Sequence, residues 1–315
     1  PVAGEGCHNR AVVRMARMPM SILLSGLLAV LAAAPAGAEK AKQECRSPIP
    51  LERKHPVMQT QLWRGLERAG LGKALARKQL AVSVLDLTPA GEGAYAGVND
   101  DHMMYAASLP KIGILLATVE EANRGNIQWG PEFSWRLTKM ITISDNGYAN
   151  WGARLVGLPG IAEILRSPRY CLYEDGVGGI WMGRTFEKEA ITFRDPLKNL
   201  SHAATTRQTA RFYALLEREK LVSPYWSRWM LDHMAPPEYV HKFYKALRRK
   251  PGVRFLARKS GTWQDFHADS AIVEHGARRF VVAAIAKHED GEEWMEQVAR
   301  LVDDLIARGE HRWWR

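Results

Sequence analysis

Strand-like segments lie near both ends of this 315-residue chain, and a long helical stretch separates them. That layout constrains the fold more than any other feature. Residues 80–87 (Leu-Ala-Val-Ser-Val-Leu-Asp-Leu) are apolar over one strand's length, and Pro89-Ala-Gly-Glu-Gly93 turns the chain into a second strand around residues 94–98. Near the other end, residues 254–259, 268–274 and 280–287 read as three more strands, with a turn at His275-Gly-Ala-Arg278. Between these groups, apolar residues recur at helical spacing after Ser108 and over residues 127–143, 149–165, 205–219 and 227–233, with a break at Gly157-Leu-Pro-Gly160. Isolated strand pairs are marginal, so the first strands are expected to join the last three in one antiparallel sheet of about five strands. Met58, Leu62, Leu66 and Ala69 give one terminal helix an apolar face, and Trp294, Val298, Leu301, Val302 and Leu305 do the same for the other. These two helices flank the sheet. The expected class is α+β, an α/β sandwich with an all-helical subdomain from the middle of the chain. Residues 57–107 and 235–315 would build the sheet half and residues 108–234 the helical half of a single domain, 57–315, behind an extended lead-in at 39–56. No internal repeat is visible.

The first 38 residues stand outside that pattern. Arg10, Arg14 and Arg17 precede an apolar run at 22–34, and Ala36-Gly-Ala38 follows it as a small-residue cleavage site. This is the layout of a bacterial secretory signal peptide, with translation expected to start at Met15, Met18 or Met20 and residues 1–14 lying upstream. The apolar run is too short for a permanent membrane span. Neither Cys7 nor Cys45 is placed for a lipid anchor, so no stable anchor is expected and the protein should be periplasmic or secreted. The net charge is +10, but Lys and Arg are scattered apart from Lys-Ala-Leu-Arg-Arg-Lys at 245–250, which reads as a solvated face and not as a nucleic-acid site. An exported chain could pair Cys45 with Cys171; the sequence leaves that open. The ten histidines show no metal-ligand spacing, and neither a metal nor an organic cofactor is implied. A monomer is expected.

Three short motifs carry the chemistry. Ser108 is the one serine with a lysine three residues later, Lys111, and Pro110 between them fits the first turn of the helix that follows. Ser108 and Lys111 then share one helix face. A serine hydroxyl needs a base within hydrogen-bond reach, and a lysine withdrawn from water beside another cation can supply one. The second motif is Ser144-Asp145-Asn146, between two helical segments, and the third is Lys259-Ser260-Gly261 at the end of a strand. Each has a bland alternative: a surface cap, an ordinary turn, a strand end.

Taken together and in this order, the motifs resemble the triple signature of class A β-lactamases and penicillin-binding proteins, over roughly residues 55–308. The resemblance implies that Ser108 is the nucleophile, that Lys111 helps take its proton, and that Ser144 passes a proton to the departing nitrogen with Lys259 beside it. It implies an oxyanion hole from the backbone N–H groups of Ser108 and Thr262, and substrate binding by Asn146, Ser260, Gly261 and Thr262, with Asp145 bracing its loop. The substrate would be a small-molecule β-lactam or a peptidoglycan-derived amide. Hydrolysis of a β-lactam leads these readings. D,D-peptidase or transpeptidase action, or a sensor that stays acylated, follows.

The sequence departs from the family pattern in three places. The interval between Ser108 and Ser144 is short, Trp263 follows Thr262 where a glycine is usual, and the Glu-x-x-Leu-Asn motif of the Ω loop is absent. The glutamate of that motif activates the water that hydrolyses the acyl-enzyme. The irregular, glycine-rich stretch 171–200 offers Glu187, Glu189 and Asp195 as substitutes ahead of Thr205-Thr206.

Overall fold

The computed structural model describes residues 45–308, apart from Pro50, residues 89–92 and Pro236. The segment expected to be a signal peptide and the Pro89 turn fall outside the described residues. Helix α1 (Pro56–Arg68) buries Met58, Leu62 and Leu66 and ends in a short α2 (Gly72–Ala76). Strands β1 (Leu80–Asp86) and β2 (Ala94–Val98) follow, then a two-residue β3 (Met104–Tyr105). The middle of the chain supplies α3 (Lys111–Asn123), α4 (Pro131–Thr142), α5 (Asn146–Val156) and α6 (Leu158–Arg166). Proline at its N-terminal end starts α4 later than the apolar pattern suggests, and Gly157, at φ 80°, closes α5 and opens α6 with no loop between them.

The stretch 171–204 is less irregular than its glycines imply. It forms β4 (Tyr173–Glu174), β5 (Gly178–Gly179), β6 (Trp181–Met182) and β7 (His202–Ala204). These pair as β4-β5 and as a small sheet β3-β7-β6, so the middle of the chain is helical with a strand trim. Helices α7 (Thr206–Glu217), α8 (Pro224–His233) and α9 (Lys242–Leu247) lead into β8 (Val253–Trp263), β9 (Phe266–His275), β10 (Arg278–Lys287) and α10 (Gly291–Arg308). The sequence pattern missed α9, because its lysines read as solvent-facing; Lys245 and, just beyond the helix, Lys250 pair with Glu296 and with Asp303 and Asp304.

The main sheet runs β2-β1-β10-β9-β8, antiparallel throughout, with β8 at one edge. Strand β1 is buried along its whole length because both its faces are covered. Leu80, Val82 and Val84 share a core with Leu62, Met295 and Val298 of the terminal helices, while Ala81 and Leu85 join a second core with Leu116 of α3 and Phe212 of α7. Helix α3 is buried from Lys111 to Glu120, and an apolar surface all round marks a core helix. A disulfide joins Cys45 to Cys171, with Cα atoms 5.6 Å apart, and Arg46 N–H donates to the Pro168 carbonyl at 2.8 Å beside it. The pairing that the sequence left open is made.

Candidate active site

Strand β8 sets the frame. The Arg258 N–H leaves the sheet to bond the Met234 carbonyl at 3.2 Å. Antiparallel alternation then points the N–H groups of Ser260 and Thr262 to the same free edge. Side chains alternate as well, so Lys259 and Gly261 share one face while Arg258, Ser260 and Thr262 share the other. A Cβ on Gly261 would stand 2.5 Å from the Ala106 carbonyl oxygen and 2.7 Å from the Ser108 nitrogen. Only glycine permits that approach, and it brings the backbone N–H of Ser108 beside the strand edge that carries Thr262.

Ser108 sits in the turn that feeds α3, three residues before the helix begins. Leu109 N–H bonds the Ala106 carbonyl at 3.0 Å, and Lys111 N–H bonds the Ser108 carbonyl at 3.3 Å. Pro110 is the capping residue itself, at φ −63°, one position earlier than the first helical turn. Ala107 takes φ 50° and Ser144 takes φ 58°, a left-handed backbone that costs non-glycine residues energy and concentrates at functional sites.

Lys111 is fully buried. Its ammonium donates to the Ser144 carbonyl at 2.5 Å, the Asn146 Oδ1 at 2.7 Å and the Ser144 Oγ at 3.2 Å, which uses all three donors. Burial lowers its pKa to about 7, against the opposing pull of Asp145. Lys259 is buried too, and donates to the Ser144 Oγ at 3.0 Å and the Ser260 carbonyl at 2.7 Å. Burial first, then the charges of Lys111 and Arg258, hold its pKa well below the lysine value. Two lysines thus fill the acceptor sites of the Ser144 hydroxyl. Its own proton is left to donate into the cleft. Asn146 accepts through Oδ1 and keeps its NH₂ free for a carbonyl, while Asp145 caps α5 through the Tyr148 N–H at 2.8 Å.

The remaining expected residues divide. The Ser260 Oγ lies 3.0 Å from His241 Nε2, and the Thr262 Oγ1 lies 2.8 Å from Lys242 Nζ; Ser260 lines the same pocket as Ser144 and Lys259. Trp263 is 58% exposed at the end of the strand and does not crowd it. Among the described residues, none of the three proposed carboxylates makes a hydrogen bond to Ser108, Lys111 or Ser144. Asp195 is buried, but its oxygens are occupied by the N–H groups of Leu197, Lys198 and Leu200 and by the Tyr173 hydroxyl. Glu187 pairs with Arg154 and accepts from Thr185, and Glu189 is exposed. What lies over Lys111 is a residue that the motifs did not indicate: the Phe186 ring, 4.4 Å from the ammonium. Its N–H is pinned to the Asn150 Oδ1 at 2.6 Å.

A helical half, a five-stranded sheet and a serine-lysine cleft at their junction define the β-lactamase and penicillin-binding-protein class of fold. The chain belongs to the β-lactamase enzyme family, whose family model matches residues 67–306. No curated protein sequence matches it. Among solved structures, a single-substitution variant of PBP-A, captured as an acyl-enzyme with penicillin G, aligns with TM-score 0.61 at 20% identity, over 82% of this chain and 100% of that one. A β-lactamase from Sphaerobacter thermophilus aligns with TM-score 0.61 at 18% identity, over 78% and 97%. A reconstructed ancestral class A β-lactamase aligns with TM-score 0.60 at 19% identity, over 75% and 98%. At such identities the likeness is one of fold. Among the described residues, no helix is long and apolar enough to cross a membrane.

Proposed function

We propose that this protein is an exported acylating serine enzyme that opens β-lactams, or cleaves D-configured peptidoglycan amides, and clears the resulting acyl-enzyme slowly. In this reading Ser108 Oγ attacks the amide carbonyl and forms an ester. Its proton passes to the neutral amine of Lys111 and onward through Ser144 to the nitrogen as the C–N bond breaks. The N–H groups of Ser108 and Thr262 stabilise the oxyanion, a contribution worth about 10²–10³ in rate per donor. A second proton transfer, from water, is needed to release the ester.

The observation that carries the slow second step is the Phe186 ring against Lys111. An aromatic side chain cannot take a proton from water, and Glu187 beside it is committed to Arg154. This favours the penicillin-binding reading over efficient β-lactam hydrolysis. The Cys45–Cys171 bridge supports an oxidising compartment outside the cytoplasm.

Intact-mass spectrometry of residues 39–315 mixed with benzylpenicillin tests both halves of the proposal. The expected result is an adduct of the drug's full mass that persists for many minutes. An adduct that clears within seconds while hydrolysed drug accumulates would make the enzyme a hydrolytic β-lactamase. Absence of any adduct would remove β-lactams as its substrates.

A further inference from the structure

The stretch that joins β6 to β7 carries Phe186 to Lys111, yet much of it faces water. Among the described residues, its run from Ile191 to Leu197 is the only seven residues that hold three exposed large hydrophobics. Ile191 is 52% exposed, Phe193 42% and Leu197 43%. Nothing in the proposed reaction uses them.

Hydrogen bonds fix this exposure. Arg184 and Thr192 form an antiparallel bridge, in which the Thr185 N–H donates to the Ile191 carbonyl at 3.0 Å and the Phe193 N–H to the Gly183 carbonyl at 2.8 Å. A Cβ on Gly183 would stand 2.6 Å from the Phe193 carbonyl oxygen, so glycine permits the approach. Extended side chains alternate, which sends Ile191 and Phe193 to one face and Thr192 to the other. Trp181 Nε1–H holds the Phe193 carbonyl at 2.7 Å, and Asp195 receives the Leu197 N–H at 2.9 Å. The apolar tips therefore stand on a braced backbone. Around them Lys188, Arg194 and Lys198 are exposed. The acids of the stretch offset them only in part: Glu187 pairs with Arg154, Asp195 is buried, and Glu189 is its one exposed carboxylate.

We propose that this stretch docks the protein reversibly on an anionic phospholipid bilayer, with Ile191, Phe193 and Leu197 among the acyl chains and Lys188, Arg194 and Lys198 at the headgroups. Clustered apolar side chains with a polar rim mark an interaction site. Charge selects the partner, because a bilayer of this kind offers apolar chains beneath a negative surface and the stretch matches both. Long lysine and arginine stems reach the headgroups while shorter apolar tips insert. Three such tips give weak, reversible attachment and not a permanent anchor. The inference does not depend on the acylation reading.

Co-sedimentation of residues 39–315 with vesicles tests it. The chain's net charge of +10 makes diffuse attraction the rival explanation. Binding to phosphatidylcholine vesicles containing phosphatidylglycerol should be about 10²-fold tighter than to phosphatidylcholine alone, at about fivefold for each of three cations near the surface. Ile191→Ser with Leu197→Ser leaves every charge in place and should weaken that binding by about tenfold or more. Lys188→Ser, Arg194→Ser and Lys198→Ser together should remove most of the preference for charged vesicles. Arg248→Ser with Arg249→Ser, in another exposed basic run, should change it by less than about threefold. Equal losses per charge from the two basic sets would mean diffuse attraction and overturn the proposal. So would unchanged binding of the Ile191 and Leu197 variant, which breaks no hydrogen bond of the stretch and guards against misfolding of the charge variant. Absence of binding to either vesicle at low salt would overturn it as well. Dimerisation of the unsubstituted chain in sedimentation velocity, abolished by Ile191→Ser with Leu197→Ser, would assign the face to a second copy instead and overturn it too.

Discussion

Lys111 has two walls of opposite character. The Ser144–Asn146 side gives it three oxygen atoms within 3.2 Å, and the segment around residue 186 gives it the face of a phenyl ring. Forming an acyl-enzyme needs groups that pass protons, and that wall is built of them. Releasing the acyl group needs a base for water, and that wall is aromatic. On the proposed reading, the two halves of a hydrolytic cycle draw on different segments of the chain, so one can be kept while the other is lost.

The largest effect should come from breaking the polar side. Ser108→Ala should abolish covalent capture of benzylpenicillin, a loss on the order of 10⁴-fold or more in acylation rate, read by intact mass. Labelling at another residue would assign the nucleophile elsewhere. Next comes inversion of the apolar wall. Phe186→Glu sets a carboxylate where the ring now lies and should speed clearance of the adduct by about 10²–10⁴-fold, the usual range for a positioned general base. An unchanged clearance rate in a folded variant would mean that water is not limited by this wall.

The pH dependence sharpens the contrast. If Lys111 is the base of the proposed reaction, only its neutral form can accept the Ser108 proton, and its pKa is lowered to about 7. Acylation should therefore fall about tenfold per unit below that pH and level off above it. Between about 7 and 10.5 the unfolded chain holds a proton at this lysine that the folded chain has released. Stability from this group accordingly rises with pH through that window. In Phe186→Glu the new carboxylate favours the ammonium, so the acylation midpoint should move upward. A midpoint that stays put would detach Lys111 from the base role.

The sheet was legible because its strands are long and apolar, and the five-stranded antiparallel arrangement follows from them. Lys111, Ser144, Asn146 and Lys259 stood out because motif spacing records which residues must meet. Phe186 carried no such record: an aromatic in a glycine-rich stretch looks like any loop residue, and its position depends on the Asn150 contact. Lys242 was hidden differently. Among Lys245, Arg248 and Arg249 it reads as one more surface charge, and only the fold shows it turned inward against Gly261 and Thr262.

The smallest effects concern the carboxylates that sequence spacing suggested. Asp195→Ala removes the acceptor for three backbone N–H groups and the Tyr173 hydroxyl, and should lower stability by about 2–3 kcal/mol in denaturant titration. Glu187→Gln breaks a half-exposed pair with Arg154, worth less than about 1 kcal/mol. Neither change should alter the clearance rate of the acyl-enzyme, because Asp195 is held by its own N–H and hydroxyl donors and Glu187 by Arg154. The comparison is most exposed at Glu187, one residue from the Phe186 ring. If Glu187→Gln slowed clearance at all, the segment would have to swing its carboxylate inward during turnover. Phe186 would then be the resting cover of the base, and the slow second step would belong to that motion instead of to a missing group.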